Sequence, residues 1–412
     1  MIAVEDTALP FKLPPGWQPT SVGDEFFLIL GKMLDAEKNV GVLKHYLGNK
    51  SVQWGRIDTN NLSLIKLTPT DLRRYCLADG DLLVCEGGDI GRSAIWRGQL
   101  EECYFQKALH RVRPRGGYSP VMLRYLLELY SKTSFLLHFA TQTSIAHLPK
   151  DKFELLPLPK PPLPEQHAIA GALSDADGVI EGLERLIAKK RRIKQGAMQD
   201  LLTARRRLPG FSGEWEAKPL SSVSAFITKG ATPTTYGFGW ETHGILFLRS
   251  ECVSPRGLDL SQSMFISEEA HRATKRSEVT GGDLLITITG NVGRVVRLPD
   301  GFGDANINQH IARIRISADG IDPSFVFHQL SRPEYIKHFN SIVTGQAYPQ
   351  ISLQQVRDAN VDFPEIAEQT AIARILTEMD TEIQTLETRL KKARQIKEGM
   401  MQNLLTGRIR LV

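Results

Sequence analysis

Residues 165–208, EQHAIAGALSDADGVIEGLERLIAKKRRIKQGAMQDLLTARRRL, return later in the chain as residues 368–411, EQTAIARILTEMDTEIQTLETRLKKARQIKEGMMQNLLTGRIRL. The two stretches align without a gap at an offset of 203, and the same letters recur from Glu165/Glu368 and Gln166/Gln369 through Asp177/Asp380 to Leu201-Leu202-Thr203 and Leu404-Leu405-Thr406. In each copy the apolar residues alternate at spacings of four and three: Ile169, Leu173, Ala176, Ile180, Leu183, Ile187, and Ile372, Leu376, Met379, Ile383, Leu386, Leu390. That spacing is a coiled-coil seam. Lysines (Lys190, Lys194, Lys397) take the next seam slots, and the apolar line shifts to Ile193, Ala197, Leu201 and to Ile396, Met400, Leu404, as a stutter produces. Neither run has an internal proline. Each predicts a helix of roughly 60 Å, from about 40 residues at 1.5 Å each, whose apolar stripe needs a partner; the other copy is the obvious one.

Working outward, the segment after the first helix repeats the start of the chain. Leu13-Pro14-Pro15-Gly16-Trp17 resembles Leu208-Pro209-Gly210-Phe211 with Trp215 following, so each unit is a globular part followed by a long helix. Such a chain is expected to have approximate twofold symmetry, with its N-terminus near the end of the second helix. Residues 20–75 and 218–276 differ most between the copies. Their short apolar runs, divided by glycine, asparagine and proline, indicate strands and turns. The first carries Lys50, Gln53, Trp54 and Arg56, basic and amide side chains interleaved with an aromatic; the second carries Lys229, Thr232 and Thr234, then Arg249, Ser250 and Glu251.

A segment common to both copies follows, Gly80-Asp81-Leu82-Leu83 to Arg92 and Gly282-Asp283-Leu284-Leu285 to Arg294. It reads as a turn, a buried strand and a glycine-rich turn. That turn is either an anion-binding nest beside Arg92 or Arg294, with Asn291 in the second copy, or a tight hairpin that needs positive φ. Residues 105–113 and 307–315 read as a further strand, in which Arg111/Arg313 and Arg113/Arg315 agree between copies and so suggest scaffold; Asn308 and Gln309 suit loop-pinning or base contact. Helical patterns span 121–139 and 324–339, followed by residues 141–145 and 344–348 and, in the first copy, a proline-rich exit into the long helix.

Of the 412 residues, 42% are hydrophobic and 24% charged, which is ordinary globular composition. No apolar run of 18 residues and no basic-then-apolar leader occurs, so a soluble, cytoplasmic protein with no membrane segment is expected. Cys76, Cys85, Cys103 and Cys252 lack C-x-x-C spacing and suit neither a disulfide framework nor a zinc site. The net charge of +5 conceals a segregation: residues 184–207 carry +7 and residues 387–410 carry +5, which leaves the remainder at −7. These basic helix halves are either a solvated face or a surface for phosphates or an acidic partner. Nucleotide-binding, zinc-protease and serine-hydrolase signatures are absent, so no catalytic or metal residue is assigned.

Together these features resemble the specificity subunit of a type I restriction-modification system. Pro161-Pro162-Leu163-Pro164-Glu165-Gln166, the helix ends Met198 to Thr203 and Met401 to Gly407, and the paired Gly-Asp-Leu-Leu segments carry the resemblance, which spans essentially the whole chain. It implies an α+β fold of two similar mixed α/β target-recognition domains separated by two long antiparallel helices in a pseudo-twofold coiled coil. The divisions are target-recognition domain 1 at 1–160, spacer helix 1 at 161–207, target-recognition domain 2 at 208–363 and spacer helix 2 at 364–412. It further implies that each domain reads one half of a bipartite double-stranded DNA target. The expected DNA-facing residues are those named above, Lys50, Gln53, Trp54, Arg56 and Arg92 in the first domain and Lys229, Thr232, Thr234, Arg249, Ser250, Glu251, Asn291 and Arg294 in the second.

The resemblance also implies that the helices dock two adenine methyltransferase subunits, which bring S-adenosylmethionine, and that restriction and translocase subunits join them. Glu165, Gln166, Arg191, Lys194, Glu368, Gln369, Arg394 and Lys397 are the expected docking residues. The chain itself would then hold no cofactor and perform no chemistry. The alternative is a bivalent protein-binding adaptor on a helical hairpin.

Overall fold

A computed structural model describes residues 8–35, 37–142, 146–345 and 348–411. Residues 143–145, 346 and 347, from the segments noted above, lie outside these. The chain forms two compact units, one of residues 1–184 with 388–412 and one of residues 185–387, and each is described by itself.

The two long helices run Leu163–Leu201 and Ile366–Leu404. They start two residues before the repeated stretch and stop seven before its end. The early stop has a backbone cause: Ala204 and Gly407, at matching positions, both take positive φ (55° and 71°), where a right-handed helix cannot continue. Each unit contains the proximal half of one long helix and the distal half of the other, running antiparallel. In the first unit Glu184 meets Arg394 at 2.6 Å, Asp177 meets Lys397 at 2.8 Å and Glu165 meets Arg410 at 2.6 Å. In the second the same pairs recur 203 residues on, as Glu387 with Arg191, Asp380 with Lys194, and Glu368 with Arg207 at 2.6 Å. Much of the basic charge in the distal halves is therefore matched by acids of the opposing helix. Ile169, Leu173, Ile187, Ile372, Leu376, Ile383 and Leu386 are buried along the seam, while Ile193 and Ile396, expected on the shifted line, are exposed.

Each head is built on a four-stranded antiparallel sheet, in the order Phe26–Leu30, Leu109–Pro114, Leu82–Cys85, Ser93–Ile95 in the first unit. The second unit repeats it as Ser224–Lys229, Ile311–Ile316, Leu284–Thr287, Val295–Arg297. A second sheet follows: Val42–Leu47 lies antiparallel to Ser63–Leu67 and parallel to Tyr104–Phe105, and Ile245–Leu248 lies likewise between Met264–Ile266 and Ala305–Ile307. The single strand expected over 105–113 is thus two, in different sheets, parted by Ala108 at φ 91°; over 307–315 the break falls between Ile307 and Ile311.

The expected helix 121–139 also divides, into Pro120–Ser131 and a 3₁₀ turn Phe135–Phe139. The Thr133 hydroxyl bonds the Tyr130 carbonyl and accepts from the Phe135 amide, capturing groups the helix would have used. Residues 324–339 divide at Pro333, which holds Arg332 extended.

One carboxamide joins each head to its helix. Gln166 accepts from the Ser119 amide (2.8 Å) and donates to the Gly117 and Pro161 carbonyls; Gln369 accepts from Asp322 (3.0 Å) and donates to Gly320 and Pro364. A ribbon adds to the joint, Gln18–Ser21 with Pro157–Lys160 and Glu216–Pro219 with Asn360–Phe363. Beyond the helix ends, Arg410 clasps Glu165 with two bonds, bonds the Pro15 carbonyl at 2.9 Å and stands over the Trp17 ring, so the N-terminal segment lies beside the end of the second helix as expected. Arg207 clasps Glu368 in the same way, near Trp215.

One buried position distinguishes the units chemically. Tyr125 in the first bonds Asp177 at 2.8 Å; its counterpart 203 residues on is His328, fully buried and 3.0 Å from the Thr377 hydroxyl. Burial, reinforced by the Lys194 charge, pushes the His328 ring down to about 3. The unfolded chain, with the ring near its ordinary 6.5, takes up this proton first as pH falls, so the group's contribution is whole above 6.5 and declines towards 3, by up to about 1.4 kcal/mol per pH unit. His328→Gln should therefore flatten the fall in urea stability between pH 6 and 4.5; a slope equal to that of the wild type would contradict the neutral, buried ring.

Candidate nucleic-acid interface

In the first unit the hub is the turn between the two strands that the sequence merged. The Gln106 amide bonds the Leu47 carbonyl (3.1 Å), Lys107 bonds Lys32 (2.7 Å), and the Glu86 amide bonds Ala108 (2.9 Å). Three loops thus gather at one end of the second sheet: residues 31–41, residues 48–57 and the glycine-rich hairpin 86–92. The second of these is a 3₁₀ turn, Asn49–Ser51, running into the ribbon of Val52–Gln53 and Arg56–Ile57. Asn49 donates to the Gly87 carbonyl (3.1 Å), Arg92 donates to the Asn49 carbonyl (3.0 Å), and the Trp54 indole donates to Asp89 (3.0 Å). Gly55, at φ 70°, lies so close to Arg124 that a Cβ would sit 2.3 Å from its guanidinium. This fastening leaves Lys50 and Arg56 exposed and Gln53 and Trp54 half-buried, with the Gln53 amide bonded to the Lys50 carbonyl at 2.8 Å. All four are brought together. Arg92 is recessed and spends its bond on Asn49, so it serves the hairpin itself and lines no open anion nest.

The second unit repeats the plan. The Asn308 amide bonds Leu248 (3.1 Å), the Ala231 amide bonds Ile307 (3.1 Å), and the Ile288 amide bonds His310 (2.9 Å), gathering loops 230–244, 249–258 and 288–294. Asn308 is buried and accepts from the His310 amide, which is loop-pinning; exposed Gln309 accepts from the Thr232 hydroxyl. The turn Ser250–Cys252 with Val253–Ser254 and Gly257–Leu258 is the counterpart of Asn49–Ser51 and its ribbon. Arg249 bonds Glu251 at 2.9 Å and Ser250 bonds it at 3.2 Å. Partial burial opposes ionisation of Glu251, but its own backbone amide and Arg249 outweigh it and hold the carboxyl below its ordinary range. Lys229, Thr234 and Asn291 are exposed, Thr232 and Arg294 half-buried.

Loops 31–41 and 230–244 carry residues that the sequence reading passed over. Each starts on a glycine, Gly31 or Gly230, whose Cβ would collide with the hub backbone at 2.3 or 1.9 Å, and ends on a glycine at strongly positive φ, Gly41 or Gly244. Between them stand exposed apolar side chains: Met33, Leu34 and Val40 in one, Tyr236 and Trp240 in the other, with Trp240 braced on Phe247 at 5.1 Å. Large apolar groups between bracketing glycines were the available signal, since exposed apolar clusters mark contact surfaces.

Beneath these loops the shared residues are scaffold. Asp81 and Asp283, nearly fully buried, bind Arg113 (2.9 Å) and Arg315 (2.6 Å) and cap a turn through the Ala78 and Thr280 amides. Arg111 and Arg313 each bind main-chain carbonyls. The Asp of the repeated Gly-Asp-Leu-Leu thus holds a strand arginine. The expected docking residues divide similarly. Glu165, Gln166, Glu368 and Gln369 are buried and bonded within their own units, a correction: their recurrence reflects the helix joint. Arg191, Lys194, Arg394 and Lys397 are engaged across the helix pairing, the two lysines half-buried. Burial pushes the thiols of Cys85 and Cys103 up to about 11 and 12, far from nucleophilic. Among the described residues no His, Cys, Asp and Glu cluster could hold a metal, and no helix is long and apolar enough to cross a membrane.

The family model described as "Type I restriction modification DNA specificity domain" matches residues 14–191 and again residues 213–395, one match for each unit's head and the helix that follows it. The chain belongs to this family. Over 97% of its length it is 24% identical to the putative type I restriction enzyme MjaX specificity subunit of Methanocaldococcus jannaschii, covering 95% of that protein. It is 24% identical to the EcoBI specificity subunit of Escherichia coli over 69% of this chain and 63% of that one. In fold it is similar to the crystal structure of the type I restriction-modification S subunit from M. genitalium, with a TM-score of 0.65 at 16% identity, over 97% of this chain and 98% of that one. A specificity subunit of this family is thus identified by two family matches that coincide with the duplicated architecture.

The two hairpin arginines separate scaffold from surface. Arg92→Ala should lower stability by about 1–2 kcal/mol, because it frees a turn carbonyl, whereas Arg294→Ala, whose guanidinium makes no bond with another described residue, should stay within about 0.5 kcal/mol of wild type. Urea unfolding of the two variants checks this, and equal losses would contradict it.

Proposed function

We propose that each head reads one half of a bipartite DNA sequence, that the paired long helices set the length of the unread gap, and that the subunit itself performs no chemistry. The observation that carries this reading is the contrast between what the copies share and what they vary. The buried Asp–Arg pairs, the glutamine joints and the hub turns recur, while the exposed turn at the same topological position reads Gly48-Asn49-Lys50 in one unit and Arg249-Ser250-Glu251 in the other. One scaffold presenting two different sets of donors and acceptors is suited to two different base sequences. In this reading Lys50, Gln53, Trp54 and Arg56, and Lys229, Thr232, Thr234, Arg249, Ser250, Glu251, Asn291 and Arg294, are the side chains that would approach DNA, joined by Tyr236 and Trp240.

Methylation in this proposal belongs to two adenine methyltransferase subunits that bring S-adenosylmethionine, and cleavage to restriction and translocase subunits. Since the glutamate–glutamine pairs are buried, the methyltransferases would meet the exposed helix faces, where Lys189, Arg192, Lys391 and Lys392 stand. Exchanging residues 218–360 for those of a relative with a different target should change one half of the methylated sequence and leave the other half as it was. Sequencing methylated adenines reads this directly, and a change in both halves or in neither contradicts the assignment.

A further inference from the structure

Resting on the reading of each head as a DNA reader, we infer that Glu251 accepts a hydrogen bond from the exocyclic amine of one base, cytosine or adenine, in the half-sequence read by the second unit. A surface that meets DNA approaches two rows of phosphates, and a carboxylate brought there is repelled by both. It makes no phosphate contact. In the major groove, by contrast, only cytosine N4 and adenine N6 offer donors, and a carboxylate is an acceptor alone.

The structure gives Glu251 the features of such a reader. It stands on the 3₁₀ turn Ser250–Cys252, exposed at its tip, while Cys252 behind it is fully buried and the Cys252 amide closes the turn on the Arg249 carbonyl at 2.8 Å. The turn follows directly from Leu248, whose carbonyl is bonded to the hub. One carboxylate oxygen takes the Arg249 guanidinium (2.9 Å) and the other takes the Ser250 hydroxyl (3.2 Å). The side chain is therefore oriented before any base arrives, and Arg249 offsets the repulsion from the backbone phosphates. Each carboxylate oxygen has two lone pairs, so acceptor capacity remains.

The matching place in the first unit sharpens this. Asn49–Ser51 is the same turn before the same ribbon, and there the tip is Lys50, also exposed. Lys is a donor alone, suited to guanine O6 and N7 or thymine O4. At one position of one scaffold the two heads thus present opposite sides of the hydrogen-bond code, which predicts opposite base classes at corresponding places in the two half-sequences.

The test is selection of randomised duplexes by the purified assembly, wild type beside Glu251→Ala, Glu251→Gln and Glu251→Lys. Wild type should fix cytosine or adenine at one position of one half. Glu251→Ala should lose discrimination there by about ten- to a hundredfold, Glu251→Gln should keep or shift the preference towards adenine, and Glu251→Lys should turn it towards guanine or thymine. The other half should stay unchanged in all three, which also reports that the variants fold. A two-part wild-type sequence that all three variants still select, or an equal loss on every duplex, overturns this inference alone. A wild type that selects no two-part sequence overturns the functional reading, and this inference with it.

Discussion

The structure depends on a buried carboxylate at the first turn of each long helix. Glu165 and Glu368 are almost wholly enclosed, and each is met by an arginine that lies beyond the end of the other long helix, Arg410 and Arg207. An enclosed carboxylate without a cation is costly, by several kcal/mol, so the unit is complete only when chain from both ends of the repeat is present. The Arg410 guanidinium accordingly holds the Glu165 carboxyl below its ordinary range, aided by the Trp17 indole. Each head is thus fastened at two points, to the helix it feeds and to the tail of the helix fed by the other head.

That fastening separates two jobs that a single repeated sequence must do. Recurring residues sit where the geometry is repeated: glutamines at the helix joint, aspartates under the strand arginines, lysines bonded to aspartates across the helix pairing. Differing residues sit on the loops that the hub turns gather. The scaffold then allows loops to change without moving the framework, because the bonds that tie them to the hub turns are main-chain bonds made by whatever residue stands there. Gly31, Gly230, Gly41 and Gly244 are constrained by the close approach of neighbouring main chain, within 2.6 Å of where a Cβ would stand.

The duplication, the seam and the scaffold role of Arg111, Arg113, Arg313 and Arg315 were legible in the sequence, because each leaves a periodic or repeated trace. The helix ends were not: Ala204 takes a left-handed conformation that its residue type does not announce, and only its counterpart Gly407 hinted at it. The strand break at Ala108 was hidden in the same way. Basic helix halves, read as either a solvated face or a surface for phosphates or a partner, turned out to set part of their charge, including Lys190, Arg191, Lys194, Arg394 and Lys397, against acids of the opposing helix, since an antiparallel register cannot be seen from one helix alone. Glu165, Gln166, Glu368 and Gln369 misled for a related reason, as recurrence marks a shared joint as readily as a shared partner. In the candidate interface, Lys50 to Arg56 and Arg249 to Glu251 were singled out through their polar and aromatic composition, whereas Met33 in the first unit and Tyr236 and Trp240 in the second needed the fold to place them beside the hub of their own unit.

On the proposed function, one framework carries two dissimilar readers. Mapping methylated adenines across the genome with and without this gene tests it most directly. The account predicts a gene-dependent motif of two different short sequences separated by a fixed run of unspecified bases. A continuous motif, or two identical halves, would contradict it.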